Sequence, residues 1–311
     1  MYATPIIYVF FNRPDLTRLS FARVRALRPR RLHLISDGPR PEHPGDAQNC
    51  SATRAIVEGM IDWPCEVSRD FASQNLGCGR RLSTGLTAAF AELGEAVVLE
   101  DDILPHPDFF SFCARQLETH RDNPLVHAIS GFNPLVRFQP AAGPAIPTIF
   151  NSIWGWASWQ RAWKDYRFDL AAWDQAETRE RIRRHVGSAL IFQRFAAHFQ
   201  ELVQRGVDTW DFQWTFTMLA HGRHALVSSV NLIENIGFDG RATHTTSTEP
   251  YFRGLKTDAV SRHPQRRPLD RPDRLHDKLY AEVVMTGSRW KITGARLAAR
   301  LPFLDHLLPV A

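Results

Sequence analysis

Four apolar residues, Ala96-Val97-Val98-Leu99, run directly into three consecutive carboxylates, Glu100-Asp101-Asp102, with a proline at position 105. The apolar run reads as a strand buried on both faces, as in a parallel sheet. Three adjacent anions repel one another, so stability does not account for them. A divalent cation relieves that repulsion, and carboxylates suit hard ions such as Mg²⁺ or Mn²⁺. In open α/β sheets, ligands bind beyond the carboxyl ends of the strands. The triplet therefore reads as a metal and phosphate site at a strand end, with a solvated acidic turn as the alternative.

The preceding residues repeat one pattern. Apolar runs at Pro5–Phe11, Leu32–Ser36 and Cys65–Arg69 alternate with helix-length segments after Pro14, over Ala47–Met60 and over Arg80–Leu93. Short links between them indicate βαβ units and a mostly parallel twisted sheet flanked by helices, an α/β fold. Polar residues follow the strands: Asn12-Arg13-Pro14-Asp15 after the first, Asp37-Gly38 after the second. No Gly-x-Gly-x-x-Gly follows the first strand and no Gly-x-x-x-x-Gly-Lys-Ser/Thr occurs, which argues against a dinucleotide fold or a P-loop. Any phosphates would be held through a metal and arginines. After the triplet, Pro105-His106-Pro107-Asp108 starts a helix carrying Phe109, Phe110, Phe112 and Leu117. A fifth strand is expected at Val126–Ser130, then a Pro/Ala-rich loop over Pro140–Pro147.

The second half is aromatic. Trp154, Trp156, Trp159 and Trp163 fall within ten residues, and the chain holds nine tryptophans. Gly155 suggests a turn that presents rings to a cleft, although all four suit a core equally. A helical region is expected over 173–204. The cluster Asp208-Thr209-Trp210-Asp211-Phe212-Gln213-Trp214 follows, then a helix through Leu219 and a strand-like Ala225–Ser228. Residues Asn231–Thr246 hold two glycines among polar groups, as a mobile loop over a site does. Residues 261–278 are rich in Arg, Pro and Asp and read as extended.

Charge is uneven. The net charge is +5, and residues 251–311 carry twelve Lys/Arg against six Asp/Glu. This basic C-terminal extension is a candidate for peripheral contact with a membrane surface, and Trp290–Leu308 reads as a surface or interfacial helix. No nucleic-acid partner is expected. With no basic leader before the first strand and no ~18-residue apolar run, the expected location is cytoplasmic. Cys50, Cys65, Cys78 and Cys113 form no Cys-x-x-Cys pair and are expected to be reduced thiols.

Taken in order, these motifs resemble glycosyltransferases of the GT-A fold, most of all the inverting N-acetylglucosaminyltransferase I family and its bacterial relatives. Val97–Asp102 followed by Pro107-Asp108-Phe109-Phe110 is similar to that family's Glu-Asp-Asp strand end and Pro-Asp-Phe-Phe. Asn12-Arg13 and Asp37 match nucleotide-binding positions, Gly155-Trp156 with Trp163 its Gly-Trp segment, and Trp210-Asp211 its Trp-Asp-Asp-Trp element. Gly237–His244 falls where the family has a loop over the sugar nucleotide. The likeness covers roughly residues 4–246. It departs at Trp210-Asp211-Phe212-Gln213-Trp214, where one acidic position is lost.

The resemblance implies a metal-dependent transfer from a nucleotide-diphospho-sugar, UDP-linked by the same likeness, to a hydroxyl of a glycan or lipid-linked acceptor. Asp102 would ligate Mn²⁺ (or Mg²⁺), with His244 as a further ligand. Glu100 and Asp101 would lie near the ribose and sugar, Asp37 at the uracil, and Arg13, Trp156 and Arg241 along the donor. Asp211 would take the acceptor's proton, with inversion. The expected division is a catalytic domain over 1–250, made of a donor half (1–135) and an acceptor half (136–250), plus the extension 251–311. A nucleotidyltransferase making sugar nucleotides and a non-catalytic carbohydrate-binding protein are the alternatives; the first usually carries a glycine-rich loop where Asn12-Arg13-Pro14-Asp15 has none.

Overall fold

The computed structural model describes residues 1–139, 143–238, 251–260, 264–265, 268–285 and 288–301. The first half follows the alternation read from sequence: β1 (Ile6–Phe10), α1 (Pro14–Leu27), β2 (Arg31–Ser36), α2 (Asp46–Met60), β3 (Glu66–Phe71), α3 (Cys78–Leu93) and β4 (Glu95–Glu100). Pro14 stands in the first turn of α1, where its missing N–H has no helical partner to lose. Then come β5 (Ile103–Pro105), α4 (Pro107–Thr119), β6 (Val126–Ser130), β7 (Ala145–Thr148), β8 (Trp156–Trp159) and α5 (Gln160–Trp163). A 3₁₀ turn at Ala171–Asp174 leads to α6 (Ala176–Val186), α7 (Ala189–Arg205), α8 (Asp211–Ala220), β9 (His224–Ser228), β10 (Ile233–Asn235), α9 (Arg274–Val284) and α10 (Arg289–Ala298).

Among the described residues, eight strands form one mixed sheet in the order β3-β2-β1-β4-β8-β6-β9-β7. Six strands run one way; β8 and the edge strand β7 run against them. The architecture is thus α/β, a large central sheet flanked by helices. Alternate side chains feed two layers. Ile6, Tyr8, Phe10, Val97 and Leu99 pack with Phe21 and Val24 of α1 and with Phe109, Phe112 and Leu117 of α4. Ile7, Val9, Ala96 and Val98 pack with Leu82, Leu86 and Phe90 of α3. Strand β4 buries Ala96–Leu99 completely, so its continuation must emerge at the sheet's carboxyl edge.

Three expectations are corrected. The Pro/Ala-rich segment is not all loop: Ala145–Thr148 is strand β7, and Pro147 is tolerated because β7 is an edge. The long helical region breaks at Gly187, which takes φ 65° and ends α6. Residues 261–278 are not extended throughout, since α9 begins at Arg274, capped by the Asp273 side chain accepting the His276 N–H at 3.0 Å. Helix α9 is built into the core: Asp277 is buried and accepts Thr148 Oγ1–H of β7 at 2.6 Å. Part of the basic extension therefore completes the sheet's far edge.

Candidate functional site

The triplet leaves β4 beside the end of β1, where Val9 pairs with Glu100. Asp101 is buried; its Oδ2 accepts the Phe11 N–H at 3.1 Å and its Oδ1 is bound by the Arg13 guanidinium. The same guanidinium reaches Asp102 Oδ2 at 3.1 Å. Glu100 has an oxygen, Oε1, buried without a partner. Burial, and then the neighbouring Asp102 and Asp101 charges, push the Glu100 carboxyl up to about 8. Burial raises Asp102 to about 6, against the lowering pull of Arg13. One guanidinium among three carboxylates leaves the cluster negative.

The chain after the turn at Asp101-Asp102 is held in an antiparallel ribbon of β5 and β10, in which Asn235 pairs with Ile103. Ile236 N–H binds the Asp102 carbonyl at 2.9 Å, and Gly237 lies so close that a Cβ there would overlap the Asp102 carboxylate. The chain that leads into the expected loop over the site is thus tied to Asp102.

Asp37, at the end of β2, is buried. Its carboxylate accepts Gly38 N–H (2.8 Å), Leu76 N–H (3.0 Å) and Asn75 Nδ2–H (3.0 Å), pinning the 74–77 turn. Burial raises this carboxyl above its ordinary value, partly offset by the Leu76 and Gly38 amides. Asn12 Nδ2 binds Asp46 at 2.6 Å, and Asp46 in turn pairs with Arg40, which lies over the Phe11 ring.

The opposite wall comes from the start of α8. Asp211 is its first residue, where the N-terminal amides favour an anion. Thr209 Oγ1–H donates to Asp211 Oδ1. Asp208 binds the Gly79 N–H at the start of α3. Trp210 is buried and stacks on Trp156. The Cys78 thiol is pushed upward by burial and then by the charges of Glu100, Asp208, Asp211 and Asp37.

A cavity of about 760 Å³ joins these pieces. Arg13, Asp37, Glu100, Asp101, Asp102 and Asp211 all line it. Trp156 does not: it is 1% exposed, packed among Phe90, Trp163, Trp210 and Trp214. Trp154 precedes β8, across the Gly155 turn with its φ of 62°, and lines the cavity in its place. Arg241 and His244 lie outside the described residues. Among the described residues the lining holds seven carboxylates against three arginines, Arg13, Arg40 and Arg81. Asp208, Arg40, Asn75 and Trp154 were not singled out as site residues from sequence. Asp208 was legible only as part of the Asp208–Trp214 cluster, and Trp154 only as one of four tryptophans.

The acidic wall fits a divalent cation. Glu100 Oε1 is an orphaned buried oxygen, and both Glu100 and Asp102 are raised by burial and crowded charge. Among the described residues no three His, Cys, Asp or Glu side chains converge on one point. One or two carboxylates, with a ligand's phosphates completing the shell, is an ordinary way to hold Mg²⁺ or Mn²⁺.

No protein-family model and no curated protein matches the chain. Solved structures do. One is TarS residues 1–349 of S. aureus, 12% identical over 73% of this chain, with TM-score 0.41; the match spans only 58% of that chain. Another is the apo form of mouse xyloside xylosyltransferase 1, 11% identical, covering 70% of this chain and 82% of that one, with TM-score 0.35. A third is an apo UDP-glucose pyrophosphorylase, 9% identical, covering 74% and 93%, with TM-score 0.34. Likenesses this distant assign no family, and the functional reading rests on the cavity.

Proposed function

We propose that the chain is a glycosyltransferase that moves a sugar, a hexosyl or N-acetylhexosaminyl unit, from a nucleotide-diphospho-sugar to an acceptor hydroxyl on a glycan or lipid-linked glycan. The observation that carries this reading is the single cavity with two separate acidic walls, Glu100-Asp101-Asp102 at the sheet edge and Asp211 at the start of α8. A diphosphate entering a cavity with seven carboxylates is repelled unless a cation enters with it. Asp102 would hold Mn²⁺ or Mg²⁺, which when bound supplies positive charge to the leaving diphosphate. Arg13 keeps Asp101 and Asp102 oriented, while Asn12, Asp37 and Arg40 shape the nucleotide end. Asp211, held by Thr209, is free of the triplet and accepts the proton of the acceptor hydroxyl as it attacks. Arg241 and His244 remain proposed contacts of donor and metal, and the 1–250 and 251–311 division is kept as a functional one.

The test is thermal stabilisation by a panel of nucleotide sugars in Mn²⁺ and in EDTA, since a ligand of the native state raises its stability. A Mn²⁺-dependent rise for one donor is expected, and Asp211→Asn should keep it while transfer falls about 100-fold or more. A protein that no nucleotide sugar stabilises would sink the reading. Transfer retained in Asp211→Asn would move the base elsewhere.

A further inference from the structure

Helix α10 has two apolar faces. Ile292, Ala295 and Ala299 are buried against the body of the protein. Opposite them, Trp290 is 89% exposed, Leu297 59%, and Leu301, one turn beyond the helix, 54%. The spacing of 290, 294, 297 and 301 puts these side chains, with Gly294 between them, on one stripe. Exposed apolar residues scattered singly need no explanation, but an aligned stripe led by a nearly naked tryptophan does.

The charges flanking the stripe select its partner. From Ser288 to Leu301 the chain carries Arg289, Lys291, Arg296 and Arg300 and no acidic residue. Arg296 is half-buried and spent on the carbonyls of Pro134 and Tyr251. Arg289, Lys291 and Arg300 are exposed, with Lys291 only 3.8 Å from Glu282. A tryptophan and leucines bordered by cations match the boundary between the headgroups and acyl chains of an anionic bilayer, where the rings and leucines enter and the cations meet lipid phosphates. A protein partner of the same breadth would be expected to face a mixed-charge rim.

We infer that the exposed face of α10 docks the protein on an anionic phospholipid surface. The docking belongs to α10 and stands apart from whatever reaction the cavity supports. It also fixes the cavity's position: Arg289 lies over the Tyr251 ring, Arg296 binds the Tyr251 carbonyl, and the next residue, Phe252, lines the cavity, as does Val284 at the end of α9.

The experiment is co-sedimentation of the full chain with vesicles of phosphatidylcholine alone or with 30 mol% phosphatidylglycerol. Binding is expected only to the anionic vesicles and should weaken in 0.5 M NaCl. Trp290→Ser with Leu297→Ser, and separately Arg289→Gln with Lys291→Gln and Arg300→Gln, should each lower partitioning more than tenfold. Both should leave the melting temperature and the oligomeric state unchanged. Equal binding to neutral vesicles, or none to either, overturns the proposal. So does a drop in melting temperature of several degrees in Trp290→Ser, which would mean the chain itself covers the stripe, or a change in sedimentation coefficient, which would mean a second copy does.

Discussion

The carboxylate of Asp208 accepts the backbone N–H of Gly79 at 2.8 Å, across 129 positions of sequence. It does for α3 what a capping side chain does locally, and it ties the segment before α8 to the wall of the cavity that α3 forms. A Cβ on Gly79 would sit 2.7 Å from Asp208 Oδ1 and 2.8 Å from the Thr209 carbonyl, so only glycine admits the approach. Asp208→Ala is expected to lower stability by about 1 kcal/mol in urea unfolding. Gly79→Ala should cost more, since backbone atoms must move. If both leave stability unchanged, the contact is not holding the two segments together.

Arg13 stands between two buried or nearly buried carboxylates. Arg13→Met would leave both without their partner, and breaking a buried pair in this way costs about 3–5 kcal/mol. Denaturant unfolding should register that loss, and Mn²⁺ should restore part of it in the variant. A neutral substitution would mean that water already satisfies the cluster.

Gly237→Ala would drive a methyl group into the Asp102 carboxylate. The expected outcome is a melting temperature lower by a few degrees and loss of Mn²⁺-dependent stabilisation by nucleotide sugars. Wild-type stabilisation in this variant would place cation and donor away from Asp102.

Two buried histidines set an acid limit. Burial lowers His224 from 6.5 to about 4, although its Nε2–H donates to the Leu269 carbonyl at 2.8 Å. His127, packed at a tilt against the Trp214 ring, is also held well below its ordinary value, chiefly by burial. Below the unfolded value the unfolded chain binds more protons than the folded one. Stability is therefore present above pH 6.5 and lost as pH falls towards 4. At pH 5 His224 should remove about 2 kcal/mol, from ~1.4 kcal/mol per pH unit, and His127 acts in the same direction. Unfolding curves from pH 7 to 5 test this, and His224→Gln should remove its share of the slope. Glu100 and Asp102, both raised by burial, shed their penalty over the same fall and offset this loss. The measure is therefore the difference between wild type and His224→Gln. An unchanged slope in the variant would contradict the burial of that ring.

The βαβ half was legible because its signals are local. Ile6–Phe10 and Ala96–Leu99 are buried on both faces, so they read as uninterrupted apolar runs. The triplet at the end of β4 needed only the rule that sites gather at strand ends. The insertion of antiparallel β8 between β4 and β6 was not legible, because it rests on pairings such as Val97 with Ala157, sixty positions apart. Trp154 and Trp156 are two apart, a spacing that a strand would put on one face; the left-handed turn at Gly155 separates them, and composition cannot show that. Helix α9 was hidden by the arginines and prolines before it. Its signal was present in the capping Asp273 and the spacing of His276, Leu279, Tyr280 and Val283, all buried.

The bond from Asp277 to Thr148 has a consequence for synthesis. Strand β7 is the sheet's edge, and α9 reaches it from 129 positions later in the chain. On the ribosome, the α/β half can assemble while this edge still waits for its cover. During that interval β7 offers unpaired backbone to any other nascent chain. Chains cut short before Arg274 should therefore fail by clumping during expression, even with every residue of the cavity's acidic walls in place.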